Sequence, residues 1–163
     1  MAHLLVPKDA EKEIGAGQFQ LTEWIETAPF EDLLDFTIEH SADGEASLSV
    51  PFRVKHANGG GIMHGGVLVS LADTAVAMAI KSVLPEGTHF ATTQMEMTFH
   101  APAHAGRVRA QARVTGPEGR SFEGSADLYD EGGGRLAHFT CHFRVARGQG
   151  FHDEKESKPA TVE

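Results

Sequence analysis

The sequence predicts an α+β fold in which a curved antiparallel sheet wraps around one long central helix. Two observations carry that prediction. Six short runs alternate apolar and polar residues, the pattern of strands with one face buried and one face wet. One segment of sixteen residues, Gly65 to Ile80, is apolar apart from Ser70, Asp73 and Thr74. It is too long for a typical strand and too short for a membrane span, and its alanines and leucines favour a buried helix.

Taken in order, residues 1–17 are polar and mixed and are expected to form a loose, flexible arm. Phe19 to Phe30, with Leu21, Trp24 and Ile25, shows helical spacing, and Pro29 is expected to end or interrupt that helix. Leu34, Phe36 and Ile38 alternate with Asp35, Thr37 and Glu39 as in a strand. After the turn Ala42-Asp43-Gly44, Ala46, Leu48, Val50 and Phe52 alternate with Glu45, Ser47, Ser49 and Pro51, which completes a hairpin. Residues 56–66, HANGGGIMHGG, hold five glycines and predict an irregular, closely approaching backbone. The buried helix follows, and Pro85 and Gly87 stop what comes after it.

Four more strands complete the sheet. Met95, Met97 and Phe99 are expected on the buried face of the first. The others are centred on Val108–Val114, Phe122–Leu128 and Ala137–Val145. Gly116-Pro117-Glu118-Gly119 and Asp130 to Gly134 supply the turns between them. One domain over residues 18–146 and a disordered tail over 147–163 are the expectation.

Composition sets the class. With 40% hydrophobic and 23% charged residues in 163, the chain is globular and large enough to bury a core without staples. Its one cysteine, Cys141, excludes an intramolecular disulfide and suits a reducing compartment. Leu4-Leu5-Val6 is too short for a signal-peptide core, and no stretch approaches the roughly 20 apolar residues of a span. A cytoplasmic protein without membrane contact is expected.

The net charge of -9 argues against nucleic-acid binding. Residues 1–50 hold 11 acids and 2 lysines, whereas 51–163 are balanced at 12 and 12. The remainder of the chain can therefore still attract an anion locally.

On the buried helix, Gly66, Ser70, Asp73, Thr74 and Ala77 fall within one stripe about 100 degrees wide. Such a stripe admits a ligand or a second subunit. Asp73 is its informative member, because a carboxylate on an apolar helix loses water, which favours its protonated form. That suits a base near neutral pH, with a locally hydrogen-bonded structural aspartate as the equal alternative. Gly65-Gly66 opens the helix, where free N–H groups and the positive end of the macrodipole can stabilise a developing oxyanion. The bland alternative is that the two glycines only permit a tight turn.

At HANGGGIMHGGVLVSLADTAVAMA the chain resembles the PaaI-like hotdog-fold thioesterases of the phenylacetic acid degradation type, which cleave acyl- or aryl-coenzyme A thioesters. The match is His64-Gly65-Gly66 followed by Leu71-Ala72-Asp73-Thr74-Ala75, preceded by Asn58 and Gly61 at the family's N-x-x-G-x-x-H-G-G spacing. The family often has proline after the asparagine, where this chain has Gly59. The resemblance extends from about Phe30 to Val145 and implies the hotdog fold.

Residue by residue, the resemblance makes Asp73 the carboxylate that attacks the thioester or activates a water. It makes Gly65 the backbone donor to the carbonyl, and His64 and Asn58 the residues that order the loop and the thioester. Thr92 falls where some relatives carry a hydroxyl that helps hold the water. It further implies that Gly65 and Asp73 of one site come from two subunits, in a homodimer that often pairs into a tetramer. No cofactor is implied.

Arg107, Arg109 and Arg113 share one side of a predicted strand, and Arg120 follows the next turn. They are the candidates for the phosphates of coenzyme A, weighed against a solvated strand face. A metal is not expected: His138 and His142 stand about 13 Å apart along a strand, and no Cys-His cluster exists. Two other readings use the same residues, a non-catalytic acyl-CoA-binding module and a hydratase or dehydratase.

Overall fold

The alternating runs pair into the predicted sheet. The computed structural model of the chain describes residues 3–4 and 19–151. A short antiparallel pair comes first in the chain, β1 (His3–Leu4) with β2 (Phe19–Gln20), and a helix of five residues, α1 (Pro29–Leu33), follows. The main sheet is built from β3 (Thr37–Ala42), β4 (Glu45–Pro51), β5 (Phe90–Phe99), β6 (Arg107–Glu118), β7 (Ser121–Tyr129) and β8 (Arg135–Val145). Its strands lie in the order β3-β4-β6-β7-β8-β5, all antiparallel. The long helix, α2 (Gly65–Lys81), packs against β3, β4, β6, β7 and β8.

The period of two decides which side faces α2. On β6, Val108, Ala110 and Ala112 are buried while Arg109, Gln111 and Arg113 are exposed, and β7 and β8 alternate in the same way. Leu71, Ala72, Ala75, Val76, Ala79 and Ile80 of α2 close the core from the other side, with Leu48, Phe122, Leu128 and Phe139. Gly124 lets the two layers touch, because a Cβ there would lie 2.2 Å from Val76 Cγ1. Asp43 and Gly44 turn the β3–β4 hairpin with φ of 52° and 79°, the left-handed pair that a tight two-residue hairpin needs.

Four expectations change. Phe19 to Phe30 is not a helix: Phe19–Gln20 is strand, and the only helical turn starts at Pro29, where the sequence reading ended one. The reason is local competition. The buried Glu26 carboxylate accepts the backbone N–H groups of Thr22 and Glu23 at 2.9 and 3.0 Å, folding 22–26 into a turn. Proline suits the first turn of a helix, since it lacks only an N–H that had no partner.

Second, the hairpin's first strand starts at Thr37, after Asp35 takes a positive φ of 58°. Third, β5 is an edge strand beyond the reach of α2 over most of its length, so Met95 and Phe99 are 46% and 52% exposed instead of buried. Fourth, two short pieces of the predicted arm and tail make contacts. His3–Leu4, within the predicted arm, is paired, and Gln149, within the predicted tail, accepts the His89 N–H at 2.6 Å through its side chain. The rest of the arm and of the tail lies outside the described residues.

Candidate active site

The glycine-rich loop is folded by its own side chains. A single 3-10 turn, Val54–His56, leads into it. Asn58 Oδ1 accepts the N–H groups of Gly60 and Ile62 at 2.8 and 3.4 Å, and the Asn58 N–H donates to the Ile62 carbonyl at 2.8 Å. His56 offers its carbonyl to the His64 N–H at 2.8 Å, and Met63 is tied to Ala103 at 3.0 Å. These bonds deliver His64 as the N-cap of α2.

There, His64 Nδ1 accepts the Gly66 N–H at 2.8 Å. With Nδ1 occupied as an acceptor, the neutral ring carries its proton on Nε2, where it is a donor. Gly65, the first residue of α2, has an N–H with no intrahelical acceptor. It lines a cavity of about 320 Å³ with Asn58, Met63, Leu68 and Phe99. The Phe99 ring sits over it, 3.2 Å from where a Cβ on Gly65 would stand. A free N–H at the positive end of a helix is a donor that can polarise a carbonyl.

Asp73 stands two turns further along α2. The Thr92 hydroxyl of β5 donates to its Oδ1 at 2.9 Å. Burial raises the Asp73 carboxyl above the usual carboxylate range; the Thr92 hydrogen bond opposes the rise and the charge of Glu31 adds to it. On the neighbouring β8, burial and the charge of Asp73 push the Cys141 thiol up to about 12, so it is protonated and unreactive at neutral pH. The predicted stripe is the open side of α2: Gly66 is exposed, and Ser70, Asp73 and Ala77 are partly so. Thr74 is the exception, buried beneath α1.

The structure therefore joins Asp73 with Thr92, and His64 with Gly65 and Asn58, but it keeps the two groups apart. Eight residues of helix separate Gly65 from Asp73, a rise of about 12 Å. One carbonyl cannot touch both within a single chain.

The arginines lie elsewhere. Arg107, Arg109 and Arg113 project from the face of β6 turned away from α2, opposite the layer that carries Asp73 and Gly65. Arg107 donates to Ser49 Oγ at 3.0 Å and Arg120 to the Val145 carbonyl at 2.8 Å. Arg109 is paired with Glu39 at 2.8 Å. Arg113 has no such side-chain partner among the described residues. No group of three metal-binding side chains occurs among those residues, and none of their helices is long and apolar enough to cross a membrane.

Sequence reasoning missed Glu31. Its carboxylate is brought to the site by α1, where its Oε1 accepts the Thr74 hydroxyl at 3.3 Å. No spacing rule connects residues 43 positions apart, so the sequence held no signal for it.

The fold and the stretch of chain that carries these residues have counterparts in known proteins. A family model described as the thioesterase superfamily matches residues 60–137, the stretch that holds His64, Gly65, Asp73 and Thr92. The phenylacetic acid degradation protein PaaI of Thermus thermophilus, solved as a point mutant, superposes with a TM-score of 0.65 at 30% identity, over 72% of this chain and 98% of that one. The conserved protein PA5202 of Pseudomonas aeruginosa gives a TM-score of 0.71 at 26% identity, over 77% and 98%. The proofreading thioesterase EntH of Klebsiella pneumoniae is 34% identical over 88 residues, 53% of this chain and 61% of that protein. The chain thus has the hotdog fold and belongs to the PaaI-like branch of the thioesterase superfamily. It spans little more than half the length of the curated relatives it matches, 56% of one and 61% of the other.

Proposed function

We propose that the protein hydrolyses coenzyme A thioesters of aryl or alkyl acids, at a site shared between two copies of the chain. The carrying observation is the Asp73–Thr92 pair, a half-buried, hydrogen-bonded carboxylate with a raised pKa on the open side of α2. Its offset of about 12 Å from the Gly65 donor, two helical turns, calls for the second copy.

In this reading the Gly65 N–H of one copy and the positive end of its helix polarise the thioester carbonyl. Asp73 of the other copy takes a proton from a water held with Thr92 as the water oxygen bonds to the carbonyl carbon. The tetrahedral intermediate collapses, the C–S bond breaks, and the departing thiolate takes up the proton from Asp73. Products are the free acid and coenzyme A. A raised pKa makes the Asp73 carboxylate a stronger base than an exposed aspartate, which suits this role.

The exposed edge of β5, with Met95 and Phe99, is the proposed surface for the homodimer, and a tetramer of two such pairs is the proposed assembly. Arg113, the one of the four candidate arginines without a hydrogen-bond or ion-pair partner among the described residues, is the proposed contact for a coenzyme A phosphate. A cytoplasmic location is proposed on the single buried Cys141.

Thiol release over a panel of aryl- and alkyl-CoAs tests the activity, with D73N beside wild type. Co-expression of D73N with G65P tests the sharing. Each variant alone is inactive, but a mixed dimer holds one site with both native residues and regains thiol release. Two inactive partners that stay inactive in a verified mixed dimer overturn the shared site. Binding of CoA esters without turnover in wild type overturns the hydrolase reading.

A further inference from the structure

A second carboxylate is fixed against Thr74, the residue that follows Asp73 in α2. Glu31 accepts the Thr74 hydroxyl at 3.3 Å through Oε1 and the Ala28 N–H at 3.0 Å through Oε2. Thr74 directly follows Asp73 in α2 and is only 7% exposed, so this contact lies against the same stretch of helix. Both oxygens are held, and the side chain cannot swing into solvent without leaving a buried hydroxyl and the amide of Ala28, the N-cap of α1, without these partners. α1 lies outside the residues that match the thioesterase family.

We propose that Glu31 is a positioning residue for the reaction, a carboxylate held by Thr74 and Ala28 against the stretch of α2 that carries Asp73. This rests on the hydrolytic role of Asp73 proposed above.

The other groups that bear on Asp73 do not cancel this charge. From β5 comes the neutral Thr92 hydroxyl, and from β8 the protonated Cys141 thiol. At the far end of α2, Lys81 stands over the Trp24 ring, 5.0 Å from its centre; it forms no ion pair with either carboxylate but feels the charge of Glu31, which favours its protonated form against the effect of burial. Among the described residues no cation forms an ion pair with Asp73 or Glu31. Two like charges close together favour the protonated form of one, and Asp73 is the half-buried member whose proton affinity rises.

The substitution to test is E31Q. A glutamine keeps both contacts, with its oxygen accepting the Ala28 N–H and its amide donating to the Thr74 oxygen, so only the charge is lost. Asp73 is titrated directly by carbon NMR of Asp-labelled protein, its resonance assigned with D73N, in wild type and E31Q. The pH dependence of kcat/KM is measured alongside. The expected result is an Asp73 midpoint at lower pH in E31Q. The acid limb of the rate profile moves with it, so that on that limb E31Q keeps about threefold more of its plateau rate than wild type. T74V, which loosens the tether and keeps the charge, is expected to move the midpoint less. An unmoved midpoint in a folded E31Q overturns the proposal, whatever the activity. A moved midpoint in a protein without turnover upholds it and overturns the hydrolytic reading alone.

Discussion

The two ends of the proposed chemistry sit on one helix and are built in opposite ways. At the N-terminus of α2, most bonds that shape the site span few residues, Asn58 to Gly60 and Ile62, His56 to His64, His64 to Gly66, with Met63 to Ala103 the long-range exception. At its middle, Asp73 is completed by Thr92, 19 positions on, and by Glu31, which reaches the adjoining Thr74 across 43 positions. The first region offers polar N–H groups at a helix end, where solvent and loop side chains satisfy most of the backbone. The second is a carboxylate half-withdrawn from water. Local turn chemistry positions a donor, whereas only the docking of separate elements alters how tightly a base holds its proton.

Substitutions can break either half alone. D73N removes the base and is expected to cost about 10²–10⁴ in kcat/KM for thiol release. In a single turnover in ¹⁸O water, wild type is expected to place the label in the first product formed. Unlabelled acid in that turnover would instead mark Asp73 as the nucleophile.

G65P attacks the other half. Proline is tolerated at the first position of a helix, and His64 has the extended backbone, φ -62° and ψ 133°, that a following proline requires. The oxyanion donor is lost while the helix stays, and the expected cost is about 10²–10³ in kcat with α2 intact by circular dichroism.

A third test sharpens the contrast through pH. T92V removes the one hydrogen bond that opposes the rise at Asp73, so the acid limb of its rate profile is expected to move to higher pH, with a loss of about tenfold on that limb. Stability gives the same contrast with the sign reversed. Asp73 holds its proton to higher pH in the folded than in the unfolded chain, so its contribution is fully present below the ordinary value of 3.8 and fades as pH rises through the folded value. D73N is therefore expected to melt above wild type at pH 8, with the gap closing towards acid pH in thermal scans.

H64A removes a helix cap at a cost of about 1 kcal/mol, read as a small fall in melting temperature. The smallest effect is reserved for R113A, a rise of a few-fold in KM for CoA esters with kcat unchanged, the scale of an exposed ion pair.

Much of the architecture was legible along the chain. The six strands, the hairpin at Asp43-Gly44 and the span of α2 follow from alternation, turn chemistry and a long apolar run, all of which act over a few residues. Asp73 and Gly65 stood out for the same reason, whereas His64 and Asn58 became candidates only through the family resemblance. The region before Pro29 did not: its apolar residues have helical spacing, but Glu26 spends its carboxylate on the Thr22 and Glu23 amides. A spacing rule counts apolar positions and is blind to such a bond. Alternation also made β5 half-buried, because it reports which residues are apolar and not whether a layer covers them.

By itself the sequence determined the period of each element, the cap that starts α2 and the residue types that can do acyl chemistry. Each of these is set by contacts within a turn or two of backbone. Tertiary structure decided the rest. It placed the arginines on the far side of the sheet, left the apolar face of β5 open, and brought Thr92 and Glu31 to Asp73. Those outcomes depend on which strand ends beside which helix, and on how much water reaches a carboxylate once they meet. Neither quantity exists until the layers have packed.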